Sequence, residues 1–273
     1  VGWSLLWVIA AFVAYGFLGR WFPGWLAFQG FAYPPFIEIM PMATHGILGV
    51  TTETSVNFVW YFILFGVVYS ATGGGQLFID SALRLVGRRA GGAAKAEIVS
   101  SAMFGTISGS AVANVVATGI FTIPLMKRTG YSPEEAAAHE ATASTGGQLM
   151  PPVMGIAAFV MAELLATPYA RIALAGVIPA VAYYFALYMI VHLKAKRRGI
   201  GTLRARDLAG AKPIAPRSYL FLPPVLLIAI LASDYSAITA AMAASLAALA
   251  ICYLRRESRL GLRGWVDMIE EVA

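Results

Sequence analysis

Apolar runs of helix length, separated by short clusters of lysine and arginine, make up most of this chain. A run of about 18 or more apolar residues is what a hydrocarbon layer about 30 Å thick selects for, because a helix of that length pairs its backbone polar groups within itself. Trp3 to Leu18 is the first such run, closed by Gly19, Arg20 and Phe22-Pro23-Gly24. Ser55 to about Leu83 reads as a second span and Arg171 to Leu193 as another. Tyr219 to Ser233 and Ala237 to Leu254 read as a hairpin of two spans around Asp234-Tyr235. Residues 25–52, which include Tyr33-Pro34-Pro35, are too broken for a crossing helix and are expected to lie at the interface or to re-enter. The end, Trp265 to Ala273, reads as a short amphipathic stretch.

Composition agrees with a membrane protein: 59% of residues are hydrophobic and 12% charged, about half the charged share of a soluble domain. A net charge of +6 would suit nucleic acid only if the basic side chains shared one solvated face. They stand between apolar runs instead, so the expected partner is the lipid bilayer and not a nucleic acid. The one cysteine, Cys252, rules out a disulfide framework and reads as a small buried residue. His45 and His192 have no partner ligands at useful spacing, so no metal centre is expected from them.

Two apolar segments are interrupted by residues that a lipid-facing helix would not choose. Ile98 to Met126 carries Gly105, Thr106, Ser108, Gly109, Ser110, Asn114, Thr118 and Gly119 near its centre. Gly109 permits a tight turn, while Ser108, Ser110 and Asn114 supply oxygens that can satisfy freed backbone or coordinate a hard cation. Oxygen ligands without a carboxylate favour sodium over calcium or magnesium. The same small residues also line close helix contacts in membranes, so this stretch alone leaves both readings open. Glu134 to Leu165 opens with Ser132-Pro133-Glu134-Glu135, a helix start with an N-cap, a proline and acidic first-turn residues. It is broken by Ser144-Thr145-Gly146-Gly147-Gln148 and Pro151-Pro152. Broken helices whose free ends meet ions and anions recur in secondary transporters.

Charge decides how residues 98–126 run. If the segment enters and leaves on one face, flanks 84–95, 127–135, 194–217 and 255–263 lie together and hold 18 of the 20 basic residues, leaving Arg20 and Arg171 opposite. Those flanks are then cytoplasmic. If it crosses fully, the clusters at 84–95 and 127–128 fall on opposite faces. A re-entrant hairpin follows.

Three smaller expectations concern charged and polar residues. Asp80 and Arg84 are spaced for an i,i+4 pair. Glu97 reads as a solvated partner of Lys95 at the hairpin base. His139 and Glu140 read as interfacial helix polarity.

Ser101 to Gly119, Thr122 to Tyr131 and Ala143-Ser-Thr-Gly-Gly-Gln-Leu-Met-Pro-Pro-Val-Met-Gly155 together resemble the large permease subunit of TRAP (tripartite ATP-independent periplasmic) transporters. The likeness is densest over 96–163, extends with lower specificity over about 45–193, and is closest to the TAXI-associated, fused-permease branch. It implies a sodium-coordinating tip at Ser108, Gly109, Ser110 and Asn114, completed by backbone carbonyls near Gly146, Gly147 and Met150. It also implies substrate contacts from Ser110 and from the unwound stretch Ser144 to Pro152: Ser144, Thr145, Gln148, Pro151 and Pro152. Further implications are import of organic carboxylates with sodium as the coupling ion and no other cofactor, and an elevator-like movement of this core against a scaffold. The partners implied are a periplasmic substrate-binding protein of TAXI type and a small membrane subunit, expected to be fused N-terminally outside this sequence. The family carries a second, inverted half, so this chain is expected to be one of two repeats of a longer permease in the bacterial inner membrane.

The expected fold is therefore an all-α polytopic helical bundle with a re-entrant hairpin and a broken helix. Residues 1–95 would form N-terminal scaffold spans, 96–165 the transport core, and 166–273 further scaffold and the start of a linker. No nucleophile and base stand together for an enzyme, and no filter repeat or continuous polar stripe marks a channel. A proton-coupled permease, one without a binding protein, or a non-transporting membrane subunit remain as alternatives.

Overall fold

The computed structural model of the protein describes residues 3–42, 46–203, 207–208, 210–233, 235–254, 265 and 268. His45, Arg204, Arg206, Asp234, the basic run 255–263 and all but two residues of 265–273 lie outside the described residues. The described residues are helical with no strand among them, and five helices are long and apolar enough to cross a membrane. The architecture is thus the all-α polytopic one that the apolar runs require.

Two compact units divide at residues 53 and 54. In the first, α1 (Trp3–Leu18) is apolar all round and is followed by short turns and α2 (Tyr33–Met42). Phe28 and Phe36 pack on Tyr15 and Phe17, at ring separations of 5.1 and 4.7 Å. Among the described residues of 25–52, no helix of crossing length lies wholly within that range.

The second unit begins in the helical run α3 (Val50–Thr54), a π turn at Ser55–Val59, and α4 (Trp60–Ala71). Ser55 to Leu83 is not one span. Gly73 adopts φ +93 and closes α4, and α5 (Gly74–Val86) starts in a new direction. The left-handed backbone that glycine tolerates is what the apolar count could not reveal. Then come α6 (Gly92–Ser108), α7 (Ala111–Arg128), α8 (Pro133–Thr145), α9 (Ile156–Leu164), the 30-residue α10 (Tyr169–Arg198), α11 (Leu222–Ala232) and α12 (Ala237–Leu254).

Each start and stop has a local cause. Ser132 caps α8: its hydroxyl accepts from the Glu135 N–H, and the Glu135 carboxylate accepts from the Ser132 N–H, with Pro133 at the first helical position. α10 ends with Lys196, Arg197 and Arg198 against the negative end of its dipole. α12 buries Ala237, Ala240, Ala241, Ala244, Ser245 and Ala248, a stripe of small side chains that lets neighbouring backbones approach closely. One core cluster gathers Phe62, Phe65, Tyr69, Phe104, Phe159 and Tyr169. Phe159 stacks on Tyr169 at 4.2 Å. A second joins Ala94, Ile98, Met126, Tyr131, Tyr184 and Val191.

These contacts bring the basic residues of segments 91–95 and 194–198 together with Glu135 at one end of the unit. The Gly91 N–H donates to the Ile200 and Gly201 carbonyls, Lys95 meets His192 at 2.7 Å, and Glu135 bridges Lys194 at 2.9 Å and Arg198 at 2.5 Å. The starts of α6 and α8 and the end of α10 therefore share that end.

Two pairings and the placement of Glu140 differ from expectation. Asp80 does not pair with Arg84. It takes Arg217 at 2.5 Å and Gln76 at 3.2 Å, while Arg84 donates to the Ala211 and Lys212 carbonyls. Glu97 and Lys95 are not a solvated pair, because both are fully buried and, two residues apart on α6, point different ways: Lys95 to His192, Glu97 to Ser101. Glu140 is 1% exposed and faces inward, not to an interface.

Candidate functional site

The segment expected to re-enter does so as a helical hairpin. α6 ends at Ser108, Gly109 turns with φ +61, and α7 starts at Ala111 with Ser110 as its N-cap. The two arms run antiparallel. Asn114 on α7 reaches back to Ser101 on α6, its Nδ2 donating to the Ser101 carbonyl at 3.1 Å and its Oδ1 lying 3.2 Å from the Ser101 hydroxyl oxygen. Only glycine fits the tip: a side chain on Gly109 would run into the Met154 carbonyl oxygen.

The second break faces the first. α8 passes into a 3-10 turn at Gly146–Leu149, and the cis Pro151-Pro152 bond carries the chain away from the helical path. Met154 at φ +55 returns the chain to α9, with the Gly155 N–H bonded to the Gln148 carbonyl at 2.8 Å. Tyr169 pins the loop by donating to the Pro152 and Val153 carbonyls, each at 2.7 Å. Both breaks open on one cavity of about 670 Å³, lined by Ser108, Gly109, Ser110, Gln148, Met154 and Gly155, with α10 closing a side through Gly176 and Pro179.

Of the expected ligands, some line that cavity, some are buried outside it, and Thr145 does neither. Ser108 and Ser110 line the cavity, with the Ser110 N–H pointing to the Ser108 hydroxyl at 3.4 Å and the Ser110 hydroxyl accepting from the Ala113 N–H at 3.3 Å. Gln148 also lines it. Asn114 lies deeper, fully buried, and its Nδ2 also reaches the Ser144 carbonyl at 3.5 Å. Gly147 sits between Gly105 and Asn114, and Gly146 under the Tyr183 ring. The Gly147 carbonyl accepts from the Met150 N–H at 3.1 Å and the Met150 carbonyl from the Met154 N–H at 3.2 Å, leaving each a second lone pair. Ser144 is fully buried and faces Ser101 and Glu140. Thr145 is exposed, with its hydroxyl donated to the Ala141 carbonyl at 2.7 Å. Pro151 is half-buried and Pro152 buried.

A polar layer that the sequence reading missed joins hairpin and broken helix below the cavity. Glu140 on α8 accepts from the Thr118 hydroxyl at 2.6 Å, the Thr122 hydroxyl at 2.5 Å and the Ser144 hydroxyl at 3.3 Å. Glu97 accepts from the Ser101 hydroxyl at 2.5 Å. Spacing was the available signal: Glu97/Ser101, Asn114/Thr118/Thr122 and Glu140/Ser144 each repeat at four residues, so each row occupies one helix face. Serine, threonine and asparagine oxygens converging between a turn and an unwound stretch offer ligands to a small hard cation and hydrogen bonds to an organic anion. Among the described residues no group of three or more His, Cys, Asp or Glu is placed to hold a metal.

Comparison with known proteins matches this chain to a transporter family. The family described as "Tripartite ATP-independent periplasmic transporter, DctM component" matches residues 1–273. Relatives include the C4-dicarboxylate TRAP transporter large permease protein DctM of Vibrio cholerae, 33% identical over 51% of this chain and 30% of that protein. The sialic acid TRAP transporter large permease protein SiaM of the same organism is 26% identical over 91% of this chain and 61% of its own length. A protein of Salmonella typhimurium called YgiK is 31% identical over 61% of this chain and 38% of its own length. The chain therefore spans less than two thirds of the length of each of these relatives.

Proposed function

The chain belongs to the DctM component family of tripartite ATP-independent periplasmic transporters, and on that premise we propose that it forms the ion- and substrate-binding core of a sodium-driven permease. The observation that carries this reading is the single cavity onto which both the hairpin tip and the unwound stretch open. At bilayer depth a backbone polar group without a partner costs several kcal/mol, so two breaks facing one cavity call for an occupant that uses the freed groups. Sodium is taken by the Ser108 and Ser110 hydroxyls, the Asn114 amide oxygen and carbonyls at Gly146, Gly147 and Met150. The transported anion lies against Ser110, Ser144, Thr145, Gln148, Pro151 and Pro152.

Relatives bearing C4-dicarboxylate, sialic acid and isethionate in their names support an organic anion as the substrate class. A periplasmic binding protein of TAXI type delivers it, and a small membrane subunit fused N-terminally completes the permease. The end holding Arg89, Lys95, Arg128, Lys194 and Arg198 faces the cytoplasm of a bacterial inner membrane. The hairpin and broken helix move together against the remaining helices as an elevator. The experiment is sodium-dependent uptake by the full permease in proteoliposomes with its binding protein, comparing wild type with Ser110→Ala and Asn114→Ala. Both substitutions are expected to weaken the sodium dependence. Unchanged sodium dependence in both removes these residues from the ion shell.

A further inference from the structure

Both ends of the unwound stretch are tied to one helix. Tyr183 and Tyr184 on α10 donate to the Thr142 carbonyl at 2.7 Å and the Ala143 carbonyl at 3.0 Å. These carbonyls belong to the last turn of α8, where a helix that stops leaves acceptors short of partners. Past the break, the Tyr169 hydroxyl oxygen stands 2.7 Å from both the Pro152 and the Val153 carbonyl oxygens. Its one proton goes to one of the two at a time, and either choice ties the same loop. Tyr169 and Tyr184 are each 8% exposed, so a carbonyl deprived of either hydroxyl has little water to turn to. None of the three tyrosines is among the residues lining the cavity.

Residues 144–151 lie between these ties. The Tyr183 and Tyr184 rings fill one side of the stretch, since a methyl group on Gly146 would run into both. On another side Gly147 meets Gly105 and Asn114 of the hairpin. The Gly147, Gln148 and Met150 carbonyls accept from N–H groups of the same loop, those of Met150, Gly155 and Met154. We propose that Tyr169 and Tyr184 are positioning residues of the ion site: by holding both ends of residues 144–151 they fix the separation of the carbonyls at Gly146, Gly147 and Met150, and with it the radius of the cation accepted. Neither hydroxyl touches the ion. Tyr183, half-buried, reinforces the tie at Ala143.

The inference rests on the sodium reading of the cavity and adds to it the groups outside the ion shell that make the shell selective. Selection between hard cations follows from the size and flexibility of the oxygen cage. Carbonyls free to drift close around a smaller ion at little cost, whereas carbonyls tied on both sides do not. Groups that orient ligands from outside the shell carry about 10- to 100-fold of metal affinity. A packing role alone has a different signature: it lowers stability and leaves the preference between two ions where it was.

The thermal midpoint of the full permease, titrated with sodium chloride or lithium chloride against potassium chloride at constant ionic strength, gives the concentration of each ion at half effect. Wild type is expected to need less sodium than lithium. Tyr169→Phe and Tyr184→Phe keep the ring and lose the hydroxyl; each is expected to raise the sodium concentration by about tenfold and to bring the two ions closer together. Val191→Ala removes a fully buried side chain from the same helix and no hydroxyl, and is expected to lower the midpoint with the ratio of the two ions unchanged. No response to sodium in wild type overturns the sodium reading and this proposal with it. A wild-type response whose sodium concentration and ion ratio persist in both tyrosine variants overturns the proposal alone. So does equal need for the two ions in wild type, or a ratio that Val191→Ala shifts as far as the tyrosine variants do.

Discussion

Gly105 on the hairpin and Gly147 on the unwound stretch touch so closely that a methyl group on Gly105 would stand 2.5 Å from the Gly147 Cα. The Gly147 carbonyl oxygen and Met150 Cβ would each lie 3.2 Å away, so backbone, not a flexible side-chain end, blocks it. Gly105→Ala is therefore expected to destabilise the fold by about 1–3 kcal/mol, as overpacking does. The thermal unfolding midpoint in detergent checks this; a midpoint equal to wild type would mean the two breaks do not meet as described.

Asn114 ties three elements through Ser101 and the Ser144 carbonyl. Asn114→Ala removes those bonds and is expected to lose about 2 kcal/mol. Asn114→Asp should be worse, because it deletes the Nδ2 donor and adds a third carboxylate to a layer that already holds Glu97 and Glu140. The order of unfolding midpoints, wild type above alanine above aspartate, is the readout.

Much of this was legible in the sequence where the cause is local. Ser132-Pro133-Glu134-Glu135 announces the start of α8 because capping is settled within four residues. Gly109 between two serines, and Pro151-Pro152 after Gly146-Gly147, announce the two breaks because each removes a helical backbone option on its own. Partners that come from distant elements were not legible. Asp80 had an arginine four residues away, yet it pairs with Arg217, because the turn at Gly73 sets α5 beside the 215–221 segment. Glu97 and Glu140 look like helix-end charge until α6, α7 and α8 pack, since nothing in either neighbourhood states that their faces meet.

The Asp80–Arg217 pair is 1% and 15% exposed on its two side chains. Asp80→Asn leaves a largely desolvated guanidinium without its charge and should destabilise by about 3 kcal/mol, while the double change Asp80→Asn with Arg217→Met should recover most of that. A double-mutant cycle on unfolding free energies measures it. Equal loss in single and double variants would remove the pair as a structural tie.

Glu135 joins α8 to the end of α10. Lys194 first, then Arg198, holds its carboxyl down at about 2. Since an unfolded glutamate titrates near pH 4.3, the clasp contributes fully above that value and is lost as pH falls from about 4 towards 2. Amide hydrogen exchange in the first turn of α8 should be flat between about pH 5 and 8 after correction for intrinsic rates, and Glu135→Gln should raise it throughout. Protection that falls on going from pH 5 to 8 would contradict this assignment.

If the hairpin tip and the unwound stretch hold a sodium ion between them, sodium must stabilise the folded protein by ligand linkage. The thermal midpoint of the full permease, titrated with sodium chloride against potassium chloride at equal ionic strength, is expected to rise with sodium alone. In Ser110→Ala the sodium concentration needed should rise by about tenfold, the loss expected for one oxygen ligand. Equal midpoints in the two salts would mean that no sodium is held there, and an unchanged sodium titration in Ser110→Ala that Ser110 is not one of its ligands.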